Sequence, residues 1–337
     1  MIETFSINNR RYLGNKYKLL DFIKTTVETE NLHFDTFTDI FAGTGAVASA
    51  FNDKKLITND ILYSNYITHI AWFGNEHFSK RKITRLIEDY NNIVVASDNY
   101  MSDTFSDTYF SREDCRKIGY IRDDIEQLYL DKEINKRERA LLITSLLYGM
   151  DKIAKTCGHY DAYRKGVEFD EHLMLKVPNA SNNNHGNRCY NKDVIEIAKK
   201  IRHEMVYMDP PYNSRQYSDA YHLLENVAKW EKPEVYGVAL KMNRDSLKSD
   251  YCTTKAPSAF RELVNSLDTK YILLSYNNMG EKGNGRSNAK ITDEEIMEIL
   301  TEKGSVSVFD ENYKAFTTGK SDIEDNKERL FLCRVRD

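Results

Sequence analysis

The stretch that most constrains this chain is Met205-Val206-Tyr207-Met208 followed by Asp209-Pro210-Pro211-Tyr212. The first four residues are apolar in character and bounded by charge on their N-terminal side, which predicts a short buried strand. That strand must stop at Asp209, because two successive prolines cannot donate to a sheet ladder. Each proline also holds the residue before it extended. Asp209 and Pro210 are therefore fixed stiffly at the carboxyl end of a strand, where open α/β sheets bind their ligands. The turn gathers an acceptor carboxylate, a rigid carbonyl from Pro210 and an aromatic face from Tyr212. Such a set suits a flat molecule with an exocyclic amine: two acceptors for its N–H groups and a ring to stack on. The plainer alternative is a Pro-rich strand end with Tyr212 packed on the surface.

A second strand–turn–helix stands earlier. Phe37 to Phe41 reads as a strand, Ala42-Gly43-Thr44-Gly45 as the turn and Ala46 to Phe51 as the start of a helix. The glycines allow a sharp turn and close approach to a ligand, and the helix start offers free N–H groups. Leu56-Ile57-Thr58 is another short strand, ending at Asn59-Asp60. A carboxylate about 20 residues past the first glycine takes the two ribose hydroxyls of an adenosine, and Asp60 follows Gly43 at close to that spacing. This much fits a nicotinamide-cofactor site as well, so Asp60 points to adenosine rather than to a reaction.

The rest of the chain falls into three parts. Ahead of the glycine turn, Arg11-Tyr12-Leu13-Gly14-Asn15-Lys16 is a basic segment with one aromatic, followed by a helix with Leu19, Leu20, Phe22, Ile23 and Val27 on its apolar face. It also reads as a solvated basic arm. From about residue 75 to 186 the strand–helix alternation is lost. Helices are predicted over Cys115 to Leu130 and Arg137 to Lys155, and Asn179 to Arg188 reads as a loop. Between them, His159, Tyr160, Tyr163, Arg164 and Lys165 make a stretch that is polar, aromatic and basic at once. The alternation returns with Asp193 and a short helix to Arg202; Asp193 suits a helix N-cap. Past the Asp209 turn come Arg215 and Tyr217, and then a helix over Asp219 to Lys229. Pro257 opens another helix, a strand covers Lys270 to Ser275, and Tyr276-Asn277-Asn278 ends it. Gly283 to Lys290 is a basic loop. Thr292 and Glu295 form a capping box for a helix over Asp293 to Glu302. Ser305 to Phe309 and Arg329 to Val335 are expected to pair antiparallel at the sheet edge.

These motifs, in this order, resemble the Dam-like (alpha-group) DNA adenine-N6 methyltransferases of restriction–modification systems. Asp209-Pro210-Pro211-Tyr212 resembles their catalytic motif. Asp39-x-Phe41-x-Gly43-x-Gly45 resembles their version of the glycine turn, and Arg11 to Lys16 their first motif, in which an aromatic and a lysine, here Tyr12 and Lys16, hold the methionine end of the cofactor. Asp193 matches the acid that meets the cofactor adenine, and Ser275-Tyr276-Asn277-Asn278 the segment beside the target-base pocket. The resemblance implies a doubly wound, Rossmann-like α/β fold that binds S-adenosyl-L-methionine. It implies a catalytic domain in two parts, 1–74 and 187–337, around a helical target-recognition domain, 75–186. Asp209, Pro210 and Tyr212 would be catalytic, with Asp209 also beside the cofactor, and double-stranded DNA the substrate. The basic and aromatic stretch at 159–165, Arg215, Tyr217, Asn277 and Asn278 would touch DNA. A cognate restriction endonuclease would be encoded nearby.

Other readings of the motifs are an RNA or protein amino methyltransferase, or, more remotely, a dinucleotide-dependent oxidoreductase. Asp209 argues against glutamine-modifying relatives, which usually carry Asn there, and an oxidoreductase leaves Asp-Pro-Pro-Tyr unexplained. The chain carries a formal net charge of −4, so phosphate contacts would have to come from local cationic stretches. Five cysteines, widely spaced and odd in number, with no signal-peptide pattern, point to a reducing, cytoplasmic setting. No apolar run is long enough for a membrane span. The histidines and cysteines show no metal-ligand spacing, and no metal is expected.

Overall fold

The computed structural model of the protein describes residues 2–10, 12–184, 186–277, 289–312 and 327–336. Strands among them are β1 (Thr4–Phe5), β2 (Thr36–Asp39), β3 (Lys55–Asn59), β4 (Val177–Pro178), β5 (Arg188–Tyr190), β6 (Met205–Met208), β7 (Tyr271–Asn277), β8 (Gly304–Asn312) and β9 (Lys327–Val335). Seven form one sheet, in the order β5-β3-β2-β6-β7-β9-β8, and β1 pairs with β4 apart from it. The centre of the sheet is parallel, from β3 through β2 and β6 to β7. The far edge is antiparallel, β7 with β9 and β9 with β8. This is the mixed α/β, Rossmann-like architecture the alternating motifs predict.

The chain divides into two compact units. The sheet unit comprises Lys16–Ile61, Tyr190–Tyr217 and Ser246–Asp337. All four residues of β6 are buried, as expected of a central parallel strand covered on both faces. Its core gathers Ile40, Val206, Met208, Phe260, Leu274 and Phe331 among others. β2 stops at Asp39, two residues short of the expected Phe41. The backbone is still laced there, Ile40 N–H to the Tyr207 carbonyl and Ala42 N–H to the Asn59 carbonyl, but it is already entering the glycine turn. Gly43 and Gly45 adopt φ of 51° and 82°, a region L side chains rarely enter. The helix Asp293–Lys303 begins at the capping box of Thr292 and Glu295.

The helical unit comprises Met1–Asn15, Leu62–Cys189 and Ser218–Asp245, so it draws in chain on either side of the 75–186 segment. Its two long helices, Arg112–Leu130 and Lys136–Ile153, start at the caps Ser111 and Asn135. The sequence pattern does not announce the helix Tyr63–Phe73. Ser64, Asn65, Thr68 and His69 are buried along with its apolar residues, so no amphipathic period survives. Its start is capped from afar: the Glu225 carboxylate accepts the N–H groups of Tyr63 and Ser64. The helix expected over Asp219 to Lys229 is broken at Tyr221 into Tyr217–Ala220 and His222–Lys229. No helix among the described residues is long and apolar enough to cross a membrane.

Candidate active site

The parallel register brings three strand ends together. Asp39 pairs with Tyr207 on one side and Thr58 on the other. Asp209 and Asp60 therefore each lie two residues beyond Asp39's level, on neighbouring strands about 4.8 Å apart. Four of the expected residues, Asp39, Gly43, Asp60 and Asp209, thus gather at the carboxyl end of the parallel strands.

The Asp209 turn is built as its residues dictate. Pro210 is buried and Tyr212 half-buried. The Tyr212 ring meets Tyr276 edge to face, with centroids 6.2 Å apart, and its carbonyl accepts the Lys290 N–H at 2.8 Å. Lys16 enters from the turn Lys16–Leu19. Its ammonium lies 3.1 Å from Asp209 Oδ1, 2.8 Å from Glu328 Oε1 and 5.6 Å from the centre of the Tyr212 ring. The lysine expected at the methionine end of the cofactor thus sits against Asp209, the residue expected to be catalytic. Burial pushes the Asp209 carboxyl up to about 6, Lys16 pulls it down and Glu328 pushes it up again. Burial opposes the charge on Lys16, but Asp209 and Glu328 outweigh it and hold the lysine well above its usual range. Asp39 is almost wholly enclosed, and burial, followed by the field of Asp209, raises its carboxyl well above the usual range. Its Oδ1 is buried with no hydrogen-bond partner.

The glycine turn is tied to the second acid. Asp60 Oδ2 accepts the Gly43 N–H at 2.9 Å. Phe41 meets Tyr251 edge to face at 5.1 Å. Asp193 is the N-cap of the helix Val194–Lys200, accepting the Ile195 N–H, and its field reaches Tyr251, whose hydroxyl burial and Asp193 together raise. Two asparagines that the sequence pattern gives no role hold this arrangement. Asn59 donates to the Ile40 and Lys192 carbonyls and accepts the Lys192 N–H. Asn191 donates to the carbonyls of Asp60 and Ile61. Together they pin the residues before Asp193 beside the end of β3.

The family model described as D12 class N6 adenine-specific DNA methyltransferase matches residues 12–283, most of the chain. The chain belongs to this family. Among curated relatives, it is 32% identical to modification methylase StsI of Streptococcus sanguinis, over 94% of this chain and 50% of that protein. It is 27% identical to modification methylase LlaI of Lactococcus lactis subsp. lactis, over 95% and 53%. It is 29% identical to type II methyltransferase M.NlaIII of Neisseria lactamica, over 94% and 95%. The chain therefore spans about half the length of the StsI and LlaI proteins and nearly all of NlaIII's.

In this D12-class chain the residues expected at DNA are divided between the two units. The 159–165 stretch belongs to the helical unit, as does Tyr12, expected at the cofactor, and Arg215, Tyr217 and Asn277 belong to the sheet unit. Tyr12 stacks on Tyr221 with centroids 4.5 Å apart, and its hydroxyl accepts from Asn65. Tyr160 departs from the expectation. It is 2% exposed, with its hydroxyl on Asp151, and it is a core residue rather than a surface contact. Tyr163 packs edge to face on Tyr109, and His159 lies 3.6 Å from Asp161. Arg164 and Lys165 are exposed, as is Arg215. Tyr217 opens the helix Tyr217–Ala220. Asn277 is buried at the end of β7, its carbonyl accepting from Arg329. Asn278 and most of the Gly283–Lys290 loop lie outside the described residues. Glu328 was missed, because nothing local marks a strand residue as the partner of a lysine more than 300 positions away, and nothing in the sequence shows that Ser275 would bond it.

Proposed function

We propose that this protein methylates N6 of adenine in duplex DNA after base flipping, as the modification enzyme of a restriction system with a cognate endonuclease, in the cytoplasm. The observation that carries the reading is Asp209: a mostly buried carboxylate at a strand end, followed by a rigid carbonyl and an aromatic ring. The chain's membership of the D12 class supports it.

The donor set suits S-adenosylmethionine. Asp60 stands where a ribose diol would be met, Phe41 offers a ring face and Asp193 an acceptor for an adenine amine, while Gly43 and Gly45 keep the turn open. Tyr12 and Lys16 are assigned to the methionine end. When bound, this cofactor supplies an electrophilic methyl group on a sulfonium.

The protein's own part is positioning and electrostatics. Adenine in a duplex cannot present its amine in line, so the base must leave the stack at a cost of a few kcal/mol. Stacking on Tyr212 returns about 1–3 kcal/mol of that. Asp209 and the Pro210 carbonyl accept the two amine hydrogens and draw the nitrogen lone pair out of conjugation. A strong base is not needed, since the amine can release its proton after the methyl has arrived. Asp209 must be ionised to accept in this way, so turnover should rise with pH through about 6 and then level off. Arg164, Lys165, Arg215, Tyr217 and the Asn277 segment are assigned to DNA.

The test is transfer from labelled S-adenosylmethionine to duplex DNA, RNA and protein by the purified chain, with the DNA digested to nucleosides. Label in N6-methyladenine supports the proposal. Label confined to RNA or protein overturns the choice of substrate, and none anywhere overturns the activity.

A further inference from the structure

One ammonium serves two carboxylates in the sheet unit. Lys16 Nζ is nearer Glu328 Oε1, at 2.8 Å, than Asp209 Oδ1, at 3.1 Å. The same Glu328 oxygen accepts the Ser275 hydroxyl at 2.9 Å. Glu328, Ser275 and Lys16 are 4%, 0% and 6% exposed, and Glu328 sits opposite Asn277 in the β7–β9 ladder. A lysine needs only one carboxylate for neutrality, and a second enclosed carboxylate costs stability except where a cation and hydrogen bonds offset it. A lysine left with Asp209 alone would close on it and occupy the lone pairs that an amine must reach.

We propose that Glu328 is a positioning residue for methyl transfer: with Ser275 fixing its carboxylate, it holds the Lys16 ammonium as the nearer partner and so leaves Asp209 free to accept the target amine. This rests on the reading of Asp209 as the amine acceptor. Two charged groups act on Asp209, Lys16 from the Lys16–Leu19 turn and Glu328 from β9, while the field of Asp209 itself reaches Asp39 on β2 and Tyr207 on its own strand. Tyr212 faces Lys16 from the other side. Of these, Glu328 alone both opposes ionisation of Asp209 and restrains the lysine.

Glu328→Gln should show two changes with opposite effects on turnover at low pH. The rate plateau should fall, because Lys16 now settles on Asp209. The acid limb should move to lower pH, because a negative neighbour is gone. A merely structural role would lower the plateau or the yield of folded protein without drawing the limb downward.

The experiment measures methyl transfer to duplex DNA against pH for wild type, Glu328→Gln and Ser275→Ala. A 13C titration of the Asp209 carboxyl, assigned with Asp209→Asn, runs beside it. For Glu328→Gln we expect kcat about tenfold lower, as for removal of one charge-assisted hydrogen bond. KM values should stay within about twofold, and the acid limb and the Asp209 midpoint should both fall by about one pH unit. Ser275→Ala should move both in the same direction by less, and it decides the matter if Glu328→Gln does not fold. An unmoved Asp209 midpoint, or a lower plateau with an unmoved limb, overturns the inference while wild-type activity stands. A wild type that methylates no DNA at any pH overturns the function instead, and the carboxyl titration still reports whether Glu328 governs the charge on Asp209.

Discussion

The two units bury charge in opposite ways. In the helical unit, Arg137 is wholly enclosed, donates to the carbonyls of Ala71, Glu76 and Ser181, and lies over the Phe78 ring. Arg122 donates to the Val227 and Ala228 carbonyls and pairs with Glu126 at 2.7 Å. These two buried arginines are met by acceptors and tie distant segments together. In the sheet unit, Asp209 and Glu328 share one lysine, and Asp39, in the field of Asp209, keeps a buried oxygen with no hydrogen bond. Matched buried charge is what a scaffold needs. Unmatched buried charge with displaced ionisation is the mark of a site prepared for something else.

The contrast can be broken first at Asp209. Asp209→Ala should cut methyl transfer by about a hundred- to a thousandfold, the scale of removing one preorganised electrostatic partner from an active site. Cofactor affinity by calorimetry should stay close to wild type. A variant that turns over near normally would place the chemistry elsewhere.

Arg137→Ala probes the other side. It leaves several buried carbonyls without a donor, at about 1–3 kcal/mol for each, and the helical unit should lose about 3 kcal/mol or more of stability in denaturant unfolding. A loss within about 0.5 kcal/mol, the range of ordinary surface substitutions, would show that the arginine staples nothing.

Asp60→Ala removes the acceptor of the Gly43 N–H and the proposed ribose partner. Affinity for adenosine and for S-adenosylmethionine should both fall by about tenfold, the worth of a hydrogen bond to a charged group. Lys16→Ala should weaken S-adenosylmethionine binding and spare adenosine. Equal loss of adenosine affinity in both variants would mean that Lys16 has been misplaced.

The smallest expected effects are at the exposed cations. Arg215→Ala in the sheet unit and Arg164→Ala in the helical unit should each weaken DNA binding a few-fold. Each should also make the slope of log affinity against log salt shallower, by about 0.9 for every phosphate that the arginine neutralises. Cofactor binding should not change. Equal DNA affinity to wild type at every salt concentration would make that arginine an ordinary surface residue.

What the sequence discloses follows from range. The Met205–Met208 strand, the Asp209 turn, the glycine turn and the Thr292 capping box depend on neighbours a few residues away, and all are readable from local pattern. The Tyr63–Phe73 helix is not, because its polar residues are enclosed and its cap, Glu225, is far along the chain. Tyr160 misleads for a similar reason. It stands in a basic, aromatic stretch, but its hydroxyl partner, Asp151, is what draws it inward. Lys16 is found by motif, whereas its nearer partner, Glu328, is visible only once β7 and β9 are paired.

If the Asp209 turn methylates adenine in DNA, its loss must erase the mark. Modified-base sequencing of DNA from cells expressing the wild type and Asp209→Ala tests it most directly. We expect N6-methyladenine at one defined sequence with the wild type and none above background with the variant at equal protein level. Equal modification by both, or no modified adenine with either, would contradict it.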